Sequence, residues 1–549
     1  MSASISPSLA VAHHTPEDAL VYRELGMWAD ETLPDVVERN AARDPGGLCA
    51  ADGHVEITFA EARDRAWSLA GGLARRGIGP GDRVVVQIPN VVDAVVTHYA
   101  IARLGAVCVP RMPIYRRREV MDTVLRTDAK ALIVADRHRG FDHASMALEI
   151  AEQIPSLTTV VVLGEAPPGG VAYASLLAGE PYTGPGPTAD DVHVILFTSG
   201  STADPKGVVH SFNTLASCAR GLNLVLGHDT THRAFVPSPV MHQTGINAGL
   251  LSAALGGFAV VLQPVWEPAR ALELISRYGC THSNGATPFV KMLADAYRPA
   301  EHDLSRFRMF GCGGAPIPPA VVHLAQDVLG CQLVAVYGQT ESCLQTITRL
   351  DDPVERVASS DGRAVPGMRI TLLDDDGNPV RGGEEGEICS RGPSVMLGYW
   401  RDERATSATF DQDGWLHSGD LGRMDADGYL RVTGRKKDII IRGGVKIAAR
   451  EIEELLLEHP AITDVAVVAM PDARLGERIC AYVVPADGPE PVLSEISAYL
   501  KTHGVAMQKL PERVEVIQAL PRTVTGKIEK FRLRAHIADL IEVERTQLR

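Results

Sequence analysis

Two lysines in two separate Gly/Ser/Thr-rich stretches are the residues of this chain best suited to phosphate chemistry. Lys206 lies in residues 198–207, TSGSTADPKG, and Lys527 closes residues 521–527, PRTVTGK. The first stretch follows an apolar run, 192–197, that reads as a buried strand. Backbone N–H groups and hydroxyls at such a strand end can close over phosphate oxygens beside a cation. The spacing is not that of a Walker loop, which needs Gly-x-x-x-x-Gly-Lys-Ser/Thr. Nor is there a Gly-x-Ser-x-Gly elbow, which disfavours a serine hydrolase. An ordinary surface loop is the competing reading, but hydroxyls, glycines and a lysine directly after a buried strand have a use in binding a nucleotide. Lys527 stands near the other end of the chain, so a reaction using both lysines requires two domains to meet.

Between them lie residues suited to the rest of a nucleotide. Residues 311–316, GCGGAP, and 337–341, YGQTE, each follow or abut short apolar strand patterns, 309–310 and 333–336. Glycines let the backbone approach a flat ring closely, and Tyr337 offers a stacking face. Thr340 can donate to a phosphate and Glu341 can hold Mg²⁺, a hard cation that takes oxygen ligands. Asp420, in WLHSGDLG at 415–422, carries the paired acceptors that two ribose hydroxyls require. A turn or cap role is the plainer alternative for Asp420, as solvation is for Glu341.

The elements that must position these groups read as an α/β fold: a large N-terminal domain of stacked α/β sub-lobes with a small β-rich lobe, then a small α+β C-terminal domain. Thr58 and Glu61 form a capping box opening a helix through Leu73, and Pro80 and Gly81 lead into a strand at 83–88. A helix at 91–104 ends at Gly105, followed by a buried strand at 106–109. The Pro/Gly-rich stretch 179–190 separates sub-lobes. From Gly362 the pattern turns to short strands and Asp/Gly turns. After Lys437 a compact pattern follows: strand 439–441, helix 451–457, strands 465–469 and 479–484, helix 493–501.

The whole chain is compatible with this. Its 549 residues exceed what one core usually supports. With 45% hydrophobic and 22% charged residues it is of ordinary globular composition. A net charge of -14 argues against nucleic acid or an anionic membrane as partner. The basic run 116–118 reads as a solvated helix start. Nine cysteines without a Cys-x-x-Cys pair fit reduced, buried thiols. The first residues carry no basic stretch leading into an apolar core, and the expected location is the cytoplasm. The stretch between Arg233 and Glu267 has no Asp, Glu, Lys or Arg, but its prolines, glycines and polar residues favour a buried helix flanked by turns over a membrane span.

Taken in order, 104–106, 198–207, 337–341, 386–388 with 391–393, 419–421, 434–438 and 521–527 resemble the adenylate-forming superfamily of acyl-CoA synthetases, nonribosomal adenylation domains and beetle luciferases. The similarity covers nearly the whole chain and is nearest to medium-chain acyl and cyclohexanecarboxylate-type CoA ligases. The resemblance implies an AMP-binding domain over 1–436 and a mobile domain over 437–549 that carries the catalytic lysine. It implies that Thr198, Ser199, Gly200, Ser201, Thr202 and Lys206 line a triphosphate loop, and that Gly314, Ala315, Pro316, Tyr337, Gly338 and Gln339 form the adenine slot. It further implies Thr340 and Glu341 at the phosphate and Mg²⁺ site, and Asp420 and Arg435 on the ribose. His242 would stand near the acid, Lys527 would bridge carboxylate and phosphate, Lys437 would be the hinge, and Gly444 would pass the pantetheine arm. Ala203 stands where the family often has Gly, and Ala449 where it often has Pro.

The implied substrates are ATP with Mg²⁺, a small-molecule carboxylic acid and coenzyme A, with a carrier-protein thiol as the alternative acceptor. Amino acids are disfavoured because no acidic residue lies between Arg233 and Glu267 to hold an ammonium. The stretches 246–262 and 284–288 suggest a mostly apolar acyl or ring acid of small to medium size, while Gln243 leaves an aryl acid such as a hydroxybenzoate open. A luciferase-like oxygenase and a catalytically inactive binding protein are the readings from other classes. The sequence leaves oligomeric state open, a homodimer included.

Overall fold

The computed structural model describes residues 13–547 except 199–204, 315–316, 444, 473, 487 and 524–525. Helix starts follow local chemistry. Thr58 and Glu61 exchange side-chain to backbone hydrogen bonds at 3.2 and 2.8 Å, opening Phe59–Arg75. That helix buries Ala62, Ala66, Leu69 and Leu73, one face of a 3.6-residue repeat. The run 116–118 opens the helix Arg117–Thr127, as its charge pattern suggests.

Two large sheets share one hydrophobic core. In the eight-stranded sheet, Arg83–Gln87 lies parallel to Val107–Pro110 and Ala131–Ala135. The antiparallel pair Val192–Phe197 and Gly207–Ser211 closes toward one edge, with Phe197 opposite Gly207. The lysine stretch is therefore the connection of a hairpin. In the nine-stranded sheet, His282–Gly285, Met309–Gly313 and Gln332–Gln339 run parallel. Their carboxyl ends, where open α/β sheets bind ligands, carry the stretches 284–288, 311–316 and 337–341.

A four-stranded antiparallel lobe follows, in the order Arg369–Leu373, Gly386–Arg391, Leu416–Met424, Leu430–Arg435. The C-terminal domain has its own sheet around the long hairpin Ile462–Asp472 and Gly476–Pro485. The helices Ala449–Leu456 and Leu493–Thr502 enclose one core, and Lys530–Gln547 covers a second. The strands Val445–Ala448 and Arg513–Val516, four residues each, and the last helix lie outside the elements expected from sequence. Ala449 begins its helix without the proline.

The uncharged stretch resolves into strands Arg233–Val236 and Ala259–Leu262 around a π-helical turn, Gly245–Leu251, that continues as the helix Ser252–Gly256. No helix among the described residues is long and apolar enough to cross a membrane. All nine cysteines are unpaired and buried.

The small β-lobe is tied to the nine-stranded sheet at Gly362. Asp361 N–H donates to the Leu430 carbonyl at 2.7 Å and Leu430 N–H to the Gly362 carbonyl at 2.9 Å. Gly362 has φ +89°, and a Cβ there would sit 2.0 Å from the Ile347 carbonyl carbon. Gly362→Ala is expected to lower unfolding free energy by more than about 2 kcal/mol. Urea titration checks this, and unchanged stability would contradict the account of the joint.

Candidate active site

Strand pairing brings the separate stretches to one cleft. Thr198 N–H donates to the Lys206 carbonyl at 3.0 Å, so the described ends of the lysine loop are pinned. Ser199, Gly200, Ser201 and Thr202 lie outside the described residues, as do Ala315, Pro316 and Gly444. The Lys206 ammonium stands 4.6 Å from the centre of the Tyr399 ring. The Tyr399 hydroxyl donates to Glu341 Oε1 at 3.0 Å. Burial and the Glu341 charge push that hydroxyl's pKa well up, so it stays a donor. One carboxylate edge of Glu341 is thereby fixed. Together with Thr340 it offers the hard oxygen donors that suit Mg²⁺.

The backbone of this turn is held from two sides. His210 Nε2 donates to the Thr340 carbonyl at 2.8 Å. His210 is buried, and desolvation lowers its pKa to about 4, so it is neutral at physiological pH. From the other side, Met396 N–H donates to the Glu341 carbonyl at 2.7 Å and Ser394 Oγ to that of Ser342 at 2.8 Å. The loop bearing these donors is in turn gripped by the N-terminal segment. Trp28 Nε1, His14 Nε2 and His13 Nε2 donate to the carbonyls of Pro393, Val395 and Met396 at 2.8, 3.0 and 2.7 Å. The turn is tight: a Cβ on Gly338 would lie 2.0 Å from the Cys343 carbonyl oxygen, and Gln339 pairs with Cys343. Gly314, at φ +81°, has open space around it.

Asp420 is the anionic centre of the cleft. Its side chain is 6% exposed; Arg435 Nε approaches Oδ1 at 2.8 Å and the Tyr337 hydroxyl donates to Oδ2 at 3.0 Å. The strands Leu416–Met424 and Leu430–Arg435 set Asp420 opposite Arg435 in register. This contact ties the Tyr337 hydroxyl to the β-lobe, and burial and the Asp420 charge raise its pKa.

Beside this pair, Glu387 accepts from Lys436 Nζ at 2.8 Å, Gly419 N–H at 3.0 Å and His417 Nδ1 at 3.0 Å. Burial works to raise the Glu387 pKa, but its three donors hold it below the ordinary carboxylate value. Cys389 completes a group of three potential metal ligands with Glu387 and His417, but the lysine already occupies the carboxylate.

Lys527 arrives from the C-terminal domain. Its turn is closed by Gly526 N–H to the Thr523 carbonyl at 2.9 Å and Thr523 N–H to the Lys527 carbonyl at 2.8 Å. A Cβ on Gly526 would stand 3.7 Å from Ala286 Cβ of the large domain. The Lys527 ammonium is crowded by protein although the residue keeps solvent exposure. Desolvation, then the charge of Arg435, lower its pKa to about 8, while Asp420 opposes the shift. His242 feels the same lysine. Burial first and the Lys527 charge second lower its pKa to about 4. Thr244 N–H donates to His242 Nδ1 at 3.3 Å, which leaves the proton on Nε2 as a donor for an acid oxygen.

The structure thus gathers Lys527, His242, Asp420, Arg435 and Tyr337 at one end of the cleft, and Lys206, Thr340 and Glu341 around Tyr399. His210, Tyr399 and the Glu387–Lys436 pair escaped sequence reasoning because their roles rest on contacts distant in sequence. A lone histidine in the apolar strand Gly207–Ser211 was the one available signal.

The profile of the AMP-binding enzyme family matches residues 37–400, and that of the AMP-binding enzyme C-terminal domain matches 451–527. The chain is 37% identical to a medium-chain fatty-acid–CoA ligase of Escherichia coli (strain K12), over 94% of this chain and 92% of that one. It is 35% identical to a 2,3-dihydroxybenzoate-AMP ligase of Bacillus subtilis (strain 168), over 95% and 97%. Among solved structures, an anthranilate CoA ligase in complex with anthranoyl-AMP superposes with a TM-score of 0.85 at 25% identity, covering 93% of this chain and 98% of that one. With its nucleotide-binding motifs brought to one cleft and both domains matched, this chain belongs to the AMP-binding enzyme family of ATP-dependent, adenylate-forming ligases.

Proposed function

We propose that this enzyme converts a carboxylic acid, ATP and coenzyme A to acyl-CoA, AMP and pyrophosphate in two half-reactions, with the C-terminal domain turning between them. The observation that carries this is Lys527, delivered by one domain beside Asp420, Arg435 and His242 of the other.

In the first half-reaction a carboxylate oxygen forms a bond to the α-phosphorus and the bond to pyrophosphate breaks. Negative charge gathers on both sides of that phosphorus, and fixed cations in a partly dehydrated cleft act where the charge develops. Lys527 neutralises the carboxylate and α-phosphate oxygens, Lys206 the departing phosphates, and His242 Nε2–H orients the acid. Asp420 and Arg435 hold the ribose, and Tyr337 covers the adenine. When bound at Glu341 and Thr340, Mg²⁺ supplies further charge neutralisation. In the second half-reaction a thiol loses its proton to solvent and its sulfur bonds to the acyl carbon while the acyl–oxygen bond to AMP breaks, and Lys527 is not needed.

The joint lies between residues 436 and 438, with 1–436 as one domain and 437–549 as the other. Lys436 is tied to Glu387 in the large domain at 2.8 Å, while Asp438 accepts from Arg534 of the last helix at 2.8 Å. The backbone of Lys437, between these two differently anchored neighbours, is the proposed pivot. The pair across the interface, Arg431 with Glu454 at 2.7 Å, is half-exposed and of the kind worth about 0–1 kcal/mol, so it does not lock the pose. A carrier-protein thiol is the second reading for the acceptor, supported by the relative named as an aryl-acid AMP ligase.

Lys527→Ala is expected to lower acid-dependent pyrophosphate exchange by ~10²- to 10³-fold while sparing thioester formation from supplied acyl-adenylate and CoA. Equal loss in both would contradict the two-pose reading. In the wild type, kcat/KM for adenylation should fall as pH rises through about 8, because the free enzyme's Lys527 loses its proton there. No acidic limb from His242 is expected until about pH 4. The alkaline limb should vanish in Lys527→Ala; its persistence would assign it to another group.

A further inference from the structure

One group of side chains beside the cleft carries more than the fold asks of it. Cys389 Sγ, His417 Nδ1 and a Glu387 carboxylate oxygen lie within 4.8 Å of one another, the single such group of His, Cys, Asp and Glu among the described residues. Backbone pairing builds it. Cys389 stands directly opposite His417 between the strands Gly386–Arg391 and Leu416–Met424, and Glu387 precedes Cys389 by two residues, the period of one strand face. The register shifts between Glu387 and Cys389, and irregularities of this kind re-aim side chains beside active sites.

The distances suit a metal ion. Tetrahedral zinc, with sulfur at ~2.3 Å and nitrogen or oxygen at ~2.0–2.2 Å, keeps its ligand atoms about 3.3–3.6 Å apart. Here Cys389 Sγ is 3.5 Å from His417 Nδ1, which is 3.0 Å from Glu387 Oε2. The group behind the histidine is also in place. A ligating histidine generally turns its other N–H to a carboxylate. His417 Nε2 is 3.5 Å from Asp411 Oδ2, and Asp411 Oδ1 accepts from the N–H groups of Asp413 and Trp415 at 2.9 Å each. A neutral imidazole has one N–H for these two carboxylates; an ion on Nδ1 would leave that N–H for Asp411. The hydrogen bonds of Glu387 do not call for the thiol, which adds only a weak contact to them.

Lys436 competes for the site, with Nζ 2.8 Å from Glu387 Oε2. It has an alternative anion, because its side chain is 40% exposed and Nζ stands 3.7 Å from Asp375 Oδ1. Gly419 N–H holds the other oxygen, Oε1, at 3.0 Å and need not move. His417, with its side chain 29% exposed, gives an ion its way in from solvent.

We propose that Cys389, His417 and Glu387 form a site for one thiophilic divalent cation, Zn²⁺ or a metal of like preference, with water as the fourth ligand and Lys436 displaced toward Asp375. On binding, the Cys389 thiol gives its proton to solvent, and the imidazole keeps its one proton on Nε2. Thiolate and carboxylate then balance the two charges of the ion. Mg²⁺, which takes oxygen ligands, does not compete. Lys436 adjoins the proposed pivot, so an occupied site would untie the large-domain side of the joint; the site itself does not depend on the hinge reading.

Titration of the reduced, tag-free, full-length protein with Co²⁺ in excess Mg²⁺ tests this, because a cobalt–thiolate bond gives a near-ultraviolet charge-transfer band that oxygen-bound cobalt lacks. One Co²⁺ per chain is expected to raise the band, one Zn²⁺ to remove it, and Cys389→Ala to abolish it. Lys436→Gln should tighten binding about two- to fivefold, since a half-exposed ion pair no longer opposes the ion. No band at saturating Co²⁺, or a band that survives in Cys389→Ala, would overturn the proposal. Equal affinity in Lys436→Gln would overturn the competition and with it the proposed ligand set. Lys436 is partly exposed, so its variant keeps the location testable should Cys389→Ala not fold.

Discussion

The cleft depends on one buried carboxylate. Asp420 sits between Tyr337 of the nine-stranded sheet and Arg435 at the end of the β-lobe. Arg435, Lys437 and Lys527 converge on the same region, and each lowers or is lowered by another's charge. Without an anion at their centre these cations would repel one another in a partly dehydrated space, where like charges at short range are costly. With it, the domain can close before ATP has arrived. Desolvation first, and the neighbouring cations second, still lower the Lys527 pKa, and a bound nucleotide's phosphates would offset both.

The same arrangement bears on where the proposed hinge lies. Glu387 holds Lys436 to the β-lobe with three donors on one carboxylate, and Asp438 belongs to the helix Lys530–Gln547 through Arg534. The change of allegiance happens across one residue. On the proposed reading, rotation at Lys437 would move Lys527 away while leaving Asp420, Arg435 and Lys436 in place, so that nucleotide contacts would survive the turn that removes the first half-reaction's cation. On the far side of the cleft, the opposite logic applies. The turn bearing Thr340 and Glu341 is braced by His210 in front and by a loop clamped to the N-terminal segment behind, which suits a group that must hold phosphate oxygens in place.

Much of this was legible in the chain. The capping box at Thr58, the strands before the 311–316 and 337–341 stretches and the separation of the two lysines all follow from local spacing, because local spacing is what determines caps and strand ends. The long-range partners were not. Tyr399 gives no sign in sequence that its hydroxyl reaches Glu341, nor does the N-terminal segment that it grips residues 393–396. Strand Arg513–Val516 alternates over only four residues and pairs in parallel with a distant hairpin, a partner that its own spacing does not announce.

The central claim, that closing and opening about Lys437 separates the two half-reactions, can be measured as a distance. The native cysteines are all buried, so spin labels can be directed to cysteines placed at Glu301 and Glu490, exposed positions on the large and small domains. Pulsed electron resonance on the full-length protein would compare ATP plus acid with a non-hydrolysable acyl-adenylate analogue plus CoA. The account predicts two distinct distance distributions, one for each condition, with the second lost in Lys437→Pro. A single unchanged distribution in a protein active in both half-reactions would contradict it.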